Sequence, residues 1–522
     1  MLPNQIKLGT ALLLSGMLTF FACTKEQDVL SSDGTVLSSL EIKKFYQELY
    51  AKDVNVFALV DSNMLVQYAA IQTLNEEKTV AITGLQSGEK ILAIDFRPAS
   101  GQLYGVSNQS RMYIINQNTG VAVAVSATPF TPAISGTQVG FDFNPTVDRI
   151  RLVTNTGQNL RLHPETGAVV FTDGNLNPST TGVVAVAYTN SFAGATSTTL
   201  YDIDVASDKL YIQNPPNNGT LVEVGALGID LVGEGGFDIS PKNDVAMAVF
   251  SANGTGDDTP SFYSIDLKTG LAMNVGKAKK NVIDLAIPTT LVAYSISSGT
   301  NLYIFNPQAA GSRIIKPITG LQSGETVLGV DMRPATGQLY ALGSSSRIYT
   351  INTANGAATA VGTGFTPALS GTQFGFDFNP TVDRIRVVSN TGQNLRLHPT
   401  LGTAVFTDGA LNPGSPAVDA VAYTNNFAGA TTTTLYNLDF ETNSLYIQAP
   451  PNDGKLTLVG GLGVNVGSGN GFDIGGTTGK AYAILKTGTV ASLYSINLTT
   501  GKAIRLIGIS TDTNGFALGN GF

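Results

Sequence analysis

The residues of this chain best suited to chemistry stand at alternating positions, and they do so twice. Asp142 and Asn144 are followed by Arg149 and Arg151, then by Asn159, Arg161 and His163. The pattern returns as Asp377, Asn379, Arg384, Arg386, Asn394, Arg396 and His398. Residues two apart on a strand share a face, so each group presents its polar side chains together. Guanidinium forks match carboxylate, sulfate and phosphate, which makes the array a candidate anion- or sugar-binding patch. The other reading is structural. Arginines between packed sheets must be paired, and Asp142, Asp148 and backbone carbonyls are at hand to pair them. The residues alone leave both readings open.

Other chemistry is sparse. The chain holds two histidines, one in each pattern, and one cysteine, Cys23. No His or Cys cluster has metal-ligand spacing. No Gly-x-Ser-x-Gly elbow stands at a strand–helix junction, and no phosphate loop occurs. Asp257-Asp258 lies in a Gly/Thr-rich loop and reads as solvated. A Ca²⁺ site built from loop oxygens would need a spacing that no loop matches to an EF-hand. No metal or cofactor is expected, and the chain reads as non-enzymatic. The alternative is a polysaccharide lyase or hydrolase, in which Arg149 or Arg161 would neutralise a uronate and His163 would move a proton. The lack of an obvious Tyr/His or two-carboxylate set speaks against it.

The elements that must position these residues are strands, and they too are doubled. Residues 136–164 return as residues 371–399 with three differences, at an offset of 235 residues. GLQSGEKILAIDFRPASGQLYGV, from Gly84, returns as GLQSGETVLGVDMRPATGQLYAL, from Gly320. A unit of that size is one domain. Within it, short alternating strands are broken by Gly, Asn, Asp and Pro turns. Four strands in roughly 35–45 residues make a propeller blade. Blades are expected near 54–85, 91–126, 138–172, 183–225 and 235–276. A lone strand at 281–287, matched by 514–518, would pair with the first blade and close the ring.

The fold class is therefore all-β: two tandem β-propellers of about five four-stranded blades, covering 53–287 and 288–522. One ten-bladed ring is the alternative. The loop Thr189–Thr199, repeated as Thr424–Thr434, reads equally as a functional loop or a packed turn. Pro215–Gly219 and Pro450–Gly454 read as turns. The organisation resembles a family of bacterial exported proteins classed as a domain of unknown function. The resemblance rests on Asn144-Pro-Thr-Val-Asp-Arg-Ile-Arg151 and Asn155-Thr-Gly-Gln-Asn-Leu-Arg-Leu-His-Pro164, with their twins at 379–386 and 390–399. It implies a propeller-like fold and no established activity.

The first residues read as a targeting segment. Lys7 precedes an apolar run from Leu8 to Ala22, which ends at Cys23. Such a run suits a signal-peptide core, and a small residue before a cysteine suits lipoprotein processing. Residues 1–22 are expected to be removed and Cys23 lipidated. Thr24-Lys25-Glu26-Gln27-Asp28 resembles the short tag of surface-exported lipoproteins. Residues 23–52 would then hold a tether and, after the capping pattern Ser38-Ser39-Leu40-Glu41, a short helix over about 39–51. Charged residues make up only 13% of the chain and the net charge is −8, so nucleic acid is not an expected partner. The expected partners are the membrane, through the anchor, and a glycan or protein ligand. The reading is a non-catalytic outer-membrane or cell-surface lipoprotein that binds or scaffolds. A periplasm-facing anchor and a structural envelope or adhesion role are the alternatives.

Overall fold

The computed structural model describes residues 44, 47, 52, 54–69, 74–178, 182–253, 259–309, 311, 313–509 and 512–522. The signal segment, Cys23, the tether and Asp257-Asp258 lie outside the described residues. Of the helix expected over about 39–51, only Lys44 and Gln47 are described, both helical and exposed. Everything else is strand and turn, apart from two single 3-10 turns at Pro216–Asn218 and Pro451–Asp453, within the expected proline turns.

Among the described residues, forty strands form ten four-stranded antiparallel sheets, five in each copy. In the first copy, sheets two to five follow chain order over 91–124, 139–172, 183–226 and 231–277. Sheet one joins Val56–Val60, Met64–Ala69 and Asn75–Ala81 to the distant strand Val282–Ala286, with Leu59 opposite Asp284. In the second copy, Thr513–Leu518 likewise pairs with Ala293–Ser297. Each sheet has a mostly buried strand at one edge, its lead strand; only Leu231–Ile239 has an exposed stretch, at Val232–Glu234. In the first copy these are Ile91–Phe96, Val139–Asn144, Val183–Tyr188, Leu231–Ile239 and Val282–Ala286.

Burial on both faces explains the near-continuous apolar runs, such as Val-Val-Ala-Val-Ala-Tyr at 183–188, every residue of which is buried. The last strands are largely exposed, as in Ala503–Gly508. Each lead strand packs beside the next: sheet two on three, three on four, four on five, five on one, and one back on two. The second copy repeats this order among its own five.

The copies meet along one seam. Arg97 Nη1 donates to Thr336 O and Gly337 O at 3.1 and 3.0 Å. Tyr294 donates its hydroxyl to Ala99 O at 2.7 Å, and Asn118 Nδ2 donates to Thr477 O. The Phe522 ring lies so close to Gly101 that an added Cβ would come within 2.3 Å of it. The loop Thr189–Thr199 is part of this seam, with Gly194 against Ile304 and Ile314. So is Thr424–Thr434, whose Ala428 joins the core of sheets two and three of the first copy. Their place is a packed one.

Candidate functional site

Sheet three carries the doubled pattern. Its register puts Asp142 opposite Arg151, Arg151 opposite Arg161, and Arg161 opposite Phe171. The row runs from the lead strand to the outer edge on one face. Arg151, 2% exposed, is its fixed point. Nη1 donates to Asn159 Oδ1 and Asp173 Oδ2, both at 2.7 Å, and Nη2 to Asn217 Oδ1 at 2.9 Å. Asn159 Nδ2 in turn donates to Gly174 O and Pro216 O. Asn217 and Pro216 belong to sheet four, so the arginine clamps one sheet to the next.

Arg161 grips Asp173 through Nε and Nη2 at 2.7 and 2.9 Å, and stacks its guanidinium 4.1 Å from the centroid of the Phe171 ring. The second copy repeats the set. Arg386 holds Asn394, Asp408 and Asn452, while Arg396 holds Asp408 and stacks on Phe406 at 4.0 Å.

The other residues of the pattern go elsewhere. Asp142 and Asp377 do not pair with these arginines. Asp142 Oδ1 accepts from Tyr188 N at 3.1 Å, and Asp377 Oδ1 from Tyr423 N at 3.0 Å, each on the lead strand of the next sheet. Asp148 also serves a different arginine, accepting from Arg97 Nε at 2.9 Å. Asp148 has a left-handed backbone, φ 51°, which Asp tolerates in tight turns. Asn144 and Asn379 cap their own turns through Thr146 N and Thr381 N. Arg149 and Arg384 donate to the Asp148 and Asp383 carbonyls. His163 Nδ1 accepts from Glu165 N. Burial, then Arg149 and Arg97, pushes the His163 imidazole down to about 4; burial, then Arg384, lowers His398. Both shifts favour the neutral ring.

A second constellation, absent from the sequence reading, lies where the lead strands converge. Each lead strand has one edge with no strand beside it, and its buried N–H groups need acceptors. Aspartates supply them. Asp284 Oδ2 accepts from Ile94 N at 2.7 Å, Asp95 Oδ2 from Phe143 N at 2.8 Å, and Asp238 Oδ2 from Ile287 N at 2.6 Å. In the second copy Asp331 Oδ2 accepts from Phe378 N and Asp473 Oδ2 from Leu518 N. Two lead strands carry no aspartate, Val183–Tyr188 in the first copy and Thr513–Leu518 in the second; in the second copy Asp419, at the start of the lead strand of sheet four, accepts from Gly469 N and Asn470 N.

The carboxylates crowd one another. Asp95, Asp142 and Asp238 offer oxygens within 4.8 Å of one another, as do Asp331, Asp377 and Asp473. Burial first, then the neighbouring carboxylates, pushes Asp95, Asp142, Asp331 and Asp377 well above the usual range. Burial raises Asp238 and Asp473 to about 7. The sequence carried a signal for them: an aspartate between two apolar residues, at 94–96, 141–143, 237–239, 283–285, 330–332, 376–378 and 472–474.

The comparisons with known proteins name a family and little more. Among solved structures, the chain resembles PorZ, a bacterial surface component of the type-IX secretion system of Porphyromonas gingivalis. Identity is 13% and the TM-score 0.26, over 87% of this chain and 57% of that one. It also resembles the extracellular domain of a putative hybrid two-component system from B. thetaiotaomicron, at 9% identity and a TM-score of 0.25, over 88% of this chain and 72% of that one. At those scores neither likeness carries an argument. A search of curated proteins found no match. The model of the domain of unknown function DUF4394 matches residues 64–286 and again 301–518. The chain therefore belongs to the DUF4394 family, in two tandem copies.

Proposed function

We propose that each copy is a closed five-bladed propeller and that the pair is a non-catalytic binding or scaffold module, carried at the bacterial outer membrane by a lipid on Cys23. The cycle of lead-strand neighbours within each copy supports two rings over one ring of ten. The observation that carries the functional reading is the seam. Among the described residues, the contacts between copies come from one end of each sheet set, including the turns at 97–102, 333–337 and 475–479. The opposite end holds the sheet-to-sheet connections. There the near-identical, exposed Ser135, Thr137 and Thr156 face solvent in one copy, and Ser370, Thr372 and Thr391 in the other. Two like polar surfaces on one anchored body suit a repetitive ligand, which gains from avidity.

The enzymatic alternative has less support. The Arg161 guanidinium is committed to Asp173 along one edge and stacked on Phe171, which leaves it poorly placed to hold a uronate. Probing the full chain on an array of polysaccharides tests the reading. Retention of one polymeric class, weakening steeply for its short oligomers, is the expected outcome. Turnover of a polysaccharide, or no retention across the array, would count against it.

A further inference from the structure

The central carboxylates of the second copy lack counter-charge. Asp331, Asp377 and Asp473 come from three lead strands and are at most 1% exposed. Hydrogen bonds account for five of their six oxygens. Asp331 accepts from Met332 N and Phe378 N, Asp473 from Ile474 N and Leu518 N, and Asp377 Oδ1 from Tyr423 N. The sixth, Asp377 Oδ2, is buried and has no partner. The charged groups acting on Asp331 and Asp377 are the other carboxylates of the cluster; no guanidinium or ammonium is among them. Like charges buried this close do not stand uncompensated.

We propose that Asp331, Asp377 and Asp473 form a binding site for Ca²⁺, with Asp377 Oδ2 as the ligand atom left free for it. An all-carboxylate donor set suits a hard cation. Calcium holds oxygens at about 2.3–2.6 Å, so ligands on opposite sides stand about 4.6–5.2 Å apart. The three oxygens, within 4.8 Å of one another, fit inside that sphere as they stand. A small cavity of about 10 Å³ is lined by Gly329, Gly375, Ala420, Gly471 and Gly515, one small residue from each lead strand. Asp331, Asp377 and Asp473 follow two residues further along three of those strands, on the same face. The first copy repeats the triad as Asp95, Asp142 and Asp238.

The test uses the full chain, stripped with a chelator and titrated with CaCl₂ by calorimetry, with bound metal counted by mass spectrometry. The wild-type chain is expected to bind Ca²⁺ and to melt several degrees higher with it. Asp377→Asn, which keeps the side-chain shape, is expected to bind one Ca²⁺ fewer per chain. A wild-type chain that binds no Ca²⁺, or an Asp377→Asn chain that binds as many as wild type, overturns the proposal. Should Asp377→Asn fail to fold, the wild-type melt decides: a midpoint indifferent to both chelator and Ca²⁺ overturns it.

Discussion

Two arginines on neighbouring strands show how burial separates residues that look alike in sequence. Arg151 is 2% exposed and serves Asp173, Asn159 and Asn217 at once. Arg161 has 24% of its side chain exposed and shares Asp173 with Arg151. Truncating Arg151 leaves the buried Asn159 Oδ1 unpaired, releases Asn217 and empties the space of a buried side chain, while Asp173 keeps Arg161, so Arg151→Ala is expected to cost roughly 2–4 kcal/mol in denaturant unfolding. Arg161→Ala leaves Asp173 paired with Arg151, and its cost is expected to be roughly 1–2 kcal/mol, between an exposed pair and a buried one. Equal losses for the two would mean that the clamp between sheets three and four is not centred on Arg151. Alternation along the strands placed these arginines on one face, but their partner was not legible. Asp173 lies 12 residues beyond Arg161, past a turn and a further strand, and only the register of the outermost strand brings it back. Asp142 looked like the natural partner because it is opposite Arg151, yet its carboxylate is drawn to the free edge of the next lead strand.

At the scale of elements, the strands were the most legible feature. The blade limits expected from turn residues fall within a few residues of the sheets observed, because period-two patterning and Gly or Asn turns act locally. The distant closing strand was legible too, since 281–287 and 514–518 recur at corresponding places. What patterning cannot convey is how closely lead strands approach one another. Gly236 shows the constraint: a Cβ there would come within 2.0 Å of Asp284 Oδ1 and 2.6 Å of Leu285 N on the next lead strand. Gly236→Ala is therefore expected to destabilise the chain by about 1–3 kcal/mol through overpacking. Gly311→Ala, where a Cβ would meet nothing within 4 Å, is expected to stay within about 0.5 kcal/mol. Thermal melts of the two variants side by side check this, and a silent Gly236→Ala would show that the lead strands have room to spare.

At the scale of the whole molecule, the doubling was plain from the sequence and the joining was not. The seam depends on residues far apart in the chain: Arg97 with Gly337, Gly101 with Phe522, and Gly194 with Ile314. None forms a motif, and each acquires a role only when two finished copies meet. The central claim is that each copy closes on itself and the seam merely joins them. Arg97 keeps Asp148 and Glu165 as partners within the first copy, so losing the second copy does not strand its charge. The most direct measurement is a circular dichroism melt of residues 53–287 expressed alone. A β-rich spectrum with one cooperative transition is expected, with 1:1 association on addition of residues 288–522. An unfolded or aggregating first copy, rescued only by covalent continuity with the second, would contradict two self-closed rings and favour a single ring of ten.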